Sequence, residues 1–267
     1  MNVVRRVAEW THERVDITTR DRRRVDMTTS RCMRWLTGAL LALTLGGCIG
    51  PKPRPMPQQG PTVFQLGLQQ VRLDGQSLIY ASDFIRERAF DDWEVESGSW
   101  EPGPHGVVGT SEHQGPAALW CTRPFPGDVI VRVWAQAVPP HKSDLNVYLF
   151  GTGTLDEPCL IAGTFGWWTS RHGLERHPNG PAATVRAGPM DPGHIYEIIV
   201  GRAGQRSFLL IDGQEVLTVV EGDPLPRSHD RIGLATWDAS VRFHRVEVHS
   251  VDIAAALPPT DEETAGG

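Results

Sequence analysis

The chain has 267 residues, with 26 Lys and Arg against 32 Asp and Glu and a formal charge of −6. Nine of those basic side chains but only five of the acidic ones precede residue 48, so the chain from Cys48 onward is more acidic than the whole. A surface of that sign repels phosphate backbones and argues against nucleic acid as a partner.

Residues 1–32 are rich in Arg, Thr and Asp, with "RDRRRVD" at 20–26 and no apolar periodicity. They precede a signal that is complete without them, and are read as an upstream extension from a start codon assigned too early. Residues 33–47, "MRWLTGALLALTLGG", give a positive flank, a short apolar run and small residues. That order is a secretory signal, and the run is too short to cross about 30 Å of hydrocarbon as a helix. The Leu-Gly-Gly-Cys ending resembles the bacterial lipobox. The resemblance implies that Cys48 is acylated and becomes the new N-terminus, which places the chain in the cell envelope with a lipid anchor as its only membrane contact. Ile49 stands where an Asp commonly retains such proteins in the inner membrane, so the outer membrane is favoured. Residues 48–60 continue as a Pro-rich extended tether.

Residues 61–253 hold enough chain for one domain with its own core, and 254–267 form an acidic tail without apolar pattern. The 61–253 segment reads as β. In "DVIVRVWAQAV" (128–138), Val129, Val131, Val133 and Ala135 share one face, leaving Ile130, Arg132, Trp134 and Gln136 on the other. In "DLNVYLF" (144–150), Leu145, Val147 and Leu149 oppose Asp144, Asn146, Tyr148 and Phe150. "HIYEIIVGRAG" and "RSFLLIDGQEVLTVV" follow, the second with an Asp212-Gly213 hairpin signal. "RIGLATWDASVRFHRVEVHSVD" supplies the last two strands. No segment after Cys48 keeps a 3.6-residue period, so the expected fold is all-β, a β-sandwich or barrel.

Several pieces, "DFIRERAFDDWEVESGSWE", "SDLNVYLFGTG", "IYEIIVGRAGQRSFLLIDGQEVLTV" and "RIGLATWDASVRFHRVEV", resemble the concanavalin A-like lectin/glucanase jelly roll. They are similar in particular to its 3-keto-disaccharide hydrolase and pectin- or rhamnogalacturonan-associated groups. The resemblance covers about residues 78–252 and implies an all-β, two-sheet antiparallel jelly-roll sandwich with polysaccharide or oligosaccharide as partner. It does not choose among lectin, hydrolase, lyase and structural module, because one fold hosts them all. The Glu-x-Asp-x-x-Glu run of glucanases of this fold is missing. "WEVES" puts Glu94 and Glu96 on one strand face, but a solvated edge strand accounts for them.

If 128–138 and 144–150 are neighbouring strands, Arg132, Trp134, Asp144, Asn146 and Tyr148 form one outward wall. Rings would stack on sugar C–H faces and planar polar groups would pair with hydroxyls; Arg132 would also fit the carboxylate of an acidic sugar. "GTFGWWTSRHGLERHPNG" (163–180) adds Trp167 or Trp168, Arg171 and His172. His172 and Asp144 are the candidates for general base or acid should the domain be an enzyme, with a surface-loop role the competing reading for His172 and His177. Trp93, Trp100, Trp120 and Trp237 are assigned to core or sandwich edges. No Cys, His or carboxylate cluster has zinc spacing. No cofactor is expected; structural calcium, common in such jelly rolls, has no motif here. Cys121 and Cys159 are either a disulfide, which export would permit, or two buried thiols.

Overall fold

Two-residue alternation recurs along the chain, and in the computed structural model it becomes strands. The structure describes residues 60–67, 69–85, 90–111, 115–166, 170–223 and 225–251. The expected signal, Cys48 and the acidic tail lie outside these residues, as do Trp167 and Trp168.

In chain order the strands are β1 (Thr62–Leu66), β2 (Gln69–Leu73), β3 (Leu78–Ser82), β4 (Trp93–Ser97), β5 (Ser99–Gly103) and β6 (Gly106–Thr110). There follow β7 (Pro116–Cys121), β8 (Val129–Ala137), β9 (Leu145–Gly151), β10 (Cys159–Thr164), β11 (Arg171–His177) and β12 (Pro181–Arg186). The last are β13 (Tyr196–Ala203), β14 (Arg206–Ile211), β15 (Gln214–Val220), β16 (Arg231–Trp237) and β17 (Ser240–Ser250). One sheet has seven strands in the order β12-β11-β10-β9-β16-β7-β4, and the other eight in the order β15-β14-β13-β8-β17-β6-β5, with β3 also on β17. The described pairings are antiparallel, and the two sheets stack as a sandwich, as the resemblance to the jelly roll implies. β1 and β2 form a separate hairpin.

The core lies between the sheets. Val129, Val131, Val133, Ala135 and Ala137 of β8 meet Leu145, Val147 and Leu149 of β9 there, with Ile198 and Val200 of β13, Leu234 of β16 and Phe243 of β17. These are the inward sets that the alternation marked. A second apolar cluster covers part of the outer face of the eight-stranded sheet, where Leu66, Val71 and Leu73 of the hairpin pack on Ile130, Ile199, Phe208 and Leu210. A third lies on the outer face of the seven-stranded sheet: Ala118, Trp120, Tyr148, Cys159, Ile161 and Ala235.

The β14–β15 turn forms where Asp212-Gly213 predicts it, with φ of 50° and 75° at the two central residues. Both values are positive, as a type I′ turn requires, and Gly tolerates this without a Cβ clash. β16 and β17 do not pair with each other. The chain crosses from the seven-stranded to the eight-stranded sheet between them, and it crosses in the reverse direction between β8 and β9. That second crossing governs the site.

Cys121 and Cys159 are both free and buried. Cys121 points into the core and Cys159 belongs to the outer-face cluster, so the sheet itself keeps the thiols apart. Of the two readings, the structure takes the thiol pair. Burial pushes their ionisation up to about 11 and about 12 respectively, which leaves both as inert thiols near neutral pH.

Candidate functional site

The single wall running from Arg132 to Tyr148 does not form. β8 lies between β13 and β17 in one sheet, and β9 lies between β10 and β16 in the other. The outward positions of the two strands therefore look away from each other across the whole core. Alternation was right for each strand, but the strands are not neighbours.

The outer face of the seven-stranded sheet collects Asp144, Asn146, Tyr148 and Arg171 of the expected set. Asn146 sits opposite Gly163 of β10 on one side and Ala235 of β16 on the other. Gly163 in turn pairs with Gly173 of β11, and Gly173 with Thr184 of β12. The sheet beside Asn146 is thus floored by glycines. Continuing the antiparallel register two residues beyond Asn146–Ala235 sets Asp144 beside Trp237. Trp237 shares alternation with Gly233 and Ala235, while Ile232 and Leu234 enter the core. Its side chain is accordingly on the outer face, and it is 54% exposed. This corrects the assignment of Trp237 to core or edge packing. Arg171 is exposed on the same face and donates through a guanidinium nitrogen to Thr184 Oγ1 at 3.0 Å.

Asp144 and Asn146 are only 5% and 4% exposed. The Asn146 amide donates to Asp144 Oδ2 at 2.9 Å. Among the described residues, Asp144 Oδ1 and Asn146 Oδ1 are buried without a hydrogen-bond partner. Buried acceptors are normally satisfied, so two bare ones side by side call for an explanation. Burial pushes the Asp144 carboxyl from its ordinary 3.8 up to about 7, against smaller downward pulls from Asn146 and the Trp237 backbone amide. Near neutral pH it is divided between a proton donor and a carboxylate.

The other half of this face is closed by the protein's own chain. Trp120 and Tyr148 pack with ring centroids 5.3 Å apart, and Leu155 packs against their cluster. Glu96 Oε2 accepts from the Trp120 indole at 2.7 Å, while Oε1 accepts from the Thr154 hydroxyl and the Leu155 backbone N–H, each at 2.8 Å. His177 Nε2 lies 3.0 Å from the Leu155 carbonyl oxygen. β4 is indeed an edge strand, yet Glu96 is more than a solvated edge residue, since it fastens the 152–158 segment over Trp120. His177 likewise has a holding role in place of the surface-loop role expected of it. Burial, reinforced by neighbouring charges, raises the Tyr148 phenol well above its ordinary range.

Three expected residues are elsewhere. Arg132 and Trp134 are buried on the outer face of the eight-stranded sheet, the guanidinium 4.5 Å above the indole. His172 alternates with Leu174 toward the core, where its Nδ1 accepts from the Phe165 N–H at 3.3 Å. Its ring meets Phe165 edge-on at 4.8 Å, and burial lowers its pKa. It is a buried neutral imidazole, not a loop histidine, and it does not face Asp144. Among the described residues no group of three or more His, Cys, Asp or Glu is arranged to hold a metal ion.

No family model matches the sequence, and no curated protein is similar to it. Solved structures are similar in fold. The carbohydrate-binding module CBM66 of Bacillus subtilis is 17% identical, with a TM-score of 0.51 over 60% of this chain and 96% of that one. A Bacillus subtilis protein of unknown function with a galectin-like fold is 15% identical, with a TM-score of 0.54 over 65% and 96%. The β-glucanase of Bacillus licheniformis is 10% identical, with a TM-score of 0.50 over 64% and 98%. These define the class: a galectin-like, concanavalin A-type jelly roll.

Proposed function

We propose that the chain is an envelope lipoprotein, acylated at Cys48, whose jelly roll binds polysaccharide at the Asp144–Asn146–Trp237 end of the seven-stranded sheet. One observation carries this reading: two adjacent buried acceptors, Asp144 Oδ1 and Asn146 Oδ1, lack partners among the described residues beside an outward, half-exposed indole. Sugar hydroxyls donate hydrogen bonds, and the C–H face of a pyranose stacks on an aromatic ring. The fold likeness to a carbohydrate-binding module adds support. Affinity electrophoresis of the protein through gels containing plant or bacterial polysaccharides tests it. At least one polysaccharide should retard the wild type and not Trp237→Ala; equal mobility of the two in every gel would refute the assignment.

The second reading, a glycoside hydrolase or polysaccharide lyase, draws on Asp144. A carboxyl that titrates at about 7 suits a general acid or base at neutral pH. It predicts release of reducing ends, or of an unsaturated product, that is lost in Asp144→Asn.

A further inference from the structure

The outer face of the eight-stranded sheet carries a cavity of about 270 Å³, lined by Gly60, Asp74, Arg132, Arg245, Glu247 and His249, among others. It is set apart from the Asp144 end by the thickness of the sandwich. Its walls are charged groups taken out of water. Arg132 Nε donates to Glu197 Oε1 at 2.7 Å, and its Nη1 lies 3.6 Å from Glu247 Oε2 and donates to the Gly60 carbonyl at 3.3 Å. Arg245 Nε donates to Glu247 Oε1 at 2.8 Å. His249 Nδ1 lies 3.0 Å from Ser77 Oγ. Among the described residues its Nε2 is buried without a hydrogen-bond partner, 3.5 Å from Glu247 Oε2, which is too long for a good bond.

Buried ion networks contribute little net stability, because desolvation offsets the Coulomb attraction. When such a network borders an open cavity and leaves a ring nitrogen unpaired, it has the form of a binding site. The charge balance identifies the ligand class. Arg132 and Arg245 are matched by Glu197 and Glu247, and Asp74 is held by Arg72 at 2.7 Å. Among the described residues here each guanidinium faces a carboxylate, so neither is left over for a phosphate, a carboxylate or an ammonium group. Nitrogen-bearing side chains (Arg245, His249) and acceptors with lone pairs to spare (Glu247, the Gly60 carbonyl) alternate around one small space. Vicinal hydroxyls, each able to donate and accept, match that alternation.

We propose that this cavity is a second ligand site, for a single neutral polyhydroxylated molecule: a monosaccharide or a sugar alcohol. Its volume lies just below the usual range for ligand pockets, roughly 300–1,000 Å³, and admits one ring, not a chain.

The test is calorimetric titration of the full-length protein with glucose, galactose, mannose, xylose, inositol and sorbitol, and with glucuronate as the charged comparison. At least one neutral probe should bind saturably, and glucuronate more weakly. Arg245→Gln should weaken that binding about tenfold or more, the loss expected for one charge-assisted hydrogen bond. Asp144→Asn should leave it unchanged. Should Arg245→Gln not fold, Gly75→Trp takes its place, adding bulk at the cavity lining, where a Cβ on Gly75 meets nothing within 4 Å. No saturable binding of any neutral probe, tighter binding of glucuronate, or binding that both variants leave intact would overturn the proposal.

Discussion

The two outer faces of the sandwich show the same alternation in sequence and opposite treatment of their polar side chains. On the eight-stranded sheet, Arg132, Glu197, Arg245 and Glu247 are mostly satisfied by one another, and a hairpin seals the apolar ground next to them. On the seven-stranded sheet, the Trp120–Tyr148 half is sealed in a similar way by Leu155, but Asp144 and Asn146 keep bare acceptors next to Trp237. Polar residues facing outward from a sandwich are thus not a site by themselves. What separates the faces is the kind of capacity left over: two adjacent acceptors, Asp144 Oδ1 and Asn146 Oδ1, on one, and the ring nitrogens Trp134 Nε1 and His249 Nε2 on the other.

Breaking the satisfied network gives the largest effect. Arg132→Ala leaves Glu197 and Glu247 without their shared guanidinium and should cost about 3–5 kcal/mol, the usual loss on removing one member of a buried pair; denaturant unfolding measures it. Next comes the Asp144 carboxyl. Its folded-state pKa of about 7 lies above the ordinary 3.8, so between these values the unfolded chain releases a proton that the native state retains. Stability should fall as pH rises from about 4 to about 7 and level off above. Asp144→Asn should flatten that part of the profile. An unchanged profile in the variant would remove Asp144 as its source.

Glu96→Ala sharpens the contrast within the seven-stranded sheet itself. It takes the acceptor from the buried Trp120 indole and releases Thr154 and Leu155. The expected cost is about 1–3 kcal/mol, with faster amide exchange at residues 152–158. Trp237→Ala is the mildest change for the fold. With its ring half in water, melting should shift by no more than about 0.5 kcal/mol in equivalent stability, while polysaccharide binding is lost.

Much of this was legible in the chain. The inward sets of β8 and β9 follow from period-two alternation alone, and the Asp212-Gly213 turn from the need for positive φ. Which sheet each strand joins is a long-range property. Nothing local in residues 138–144 announces that the chain crosses the sandwich there, so Arg132 and Asp144 look like neighbours until the topology is known. Trp237 was within reach of sequence: it alternates with Gly233 and Ala235 against Ile232 and Leu234, which marks it as outward-facing. His172 was not, because its burial comes from Phe165 and the strand's inward face, and "SRHG" reads as loop.

The most direct test of the site is the chemical-shift response of isotope-labelled protein to a retarding oligosaccharide. The Trp237 indole N–H and the Asn146 side-chain amide should move first and saturate together, ahead of any change at the Trp134 indole near the second cavity. Shifts that centre on Trp134 and leave Trp237 and Asn146 in place would show that carbohydrate binds a different face, and the assignment made here would fall.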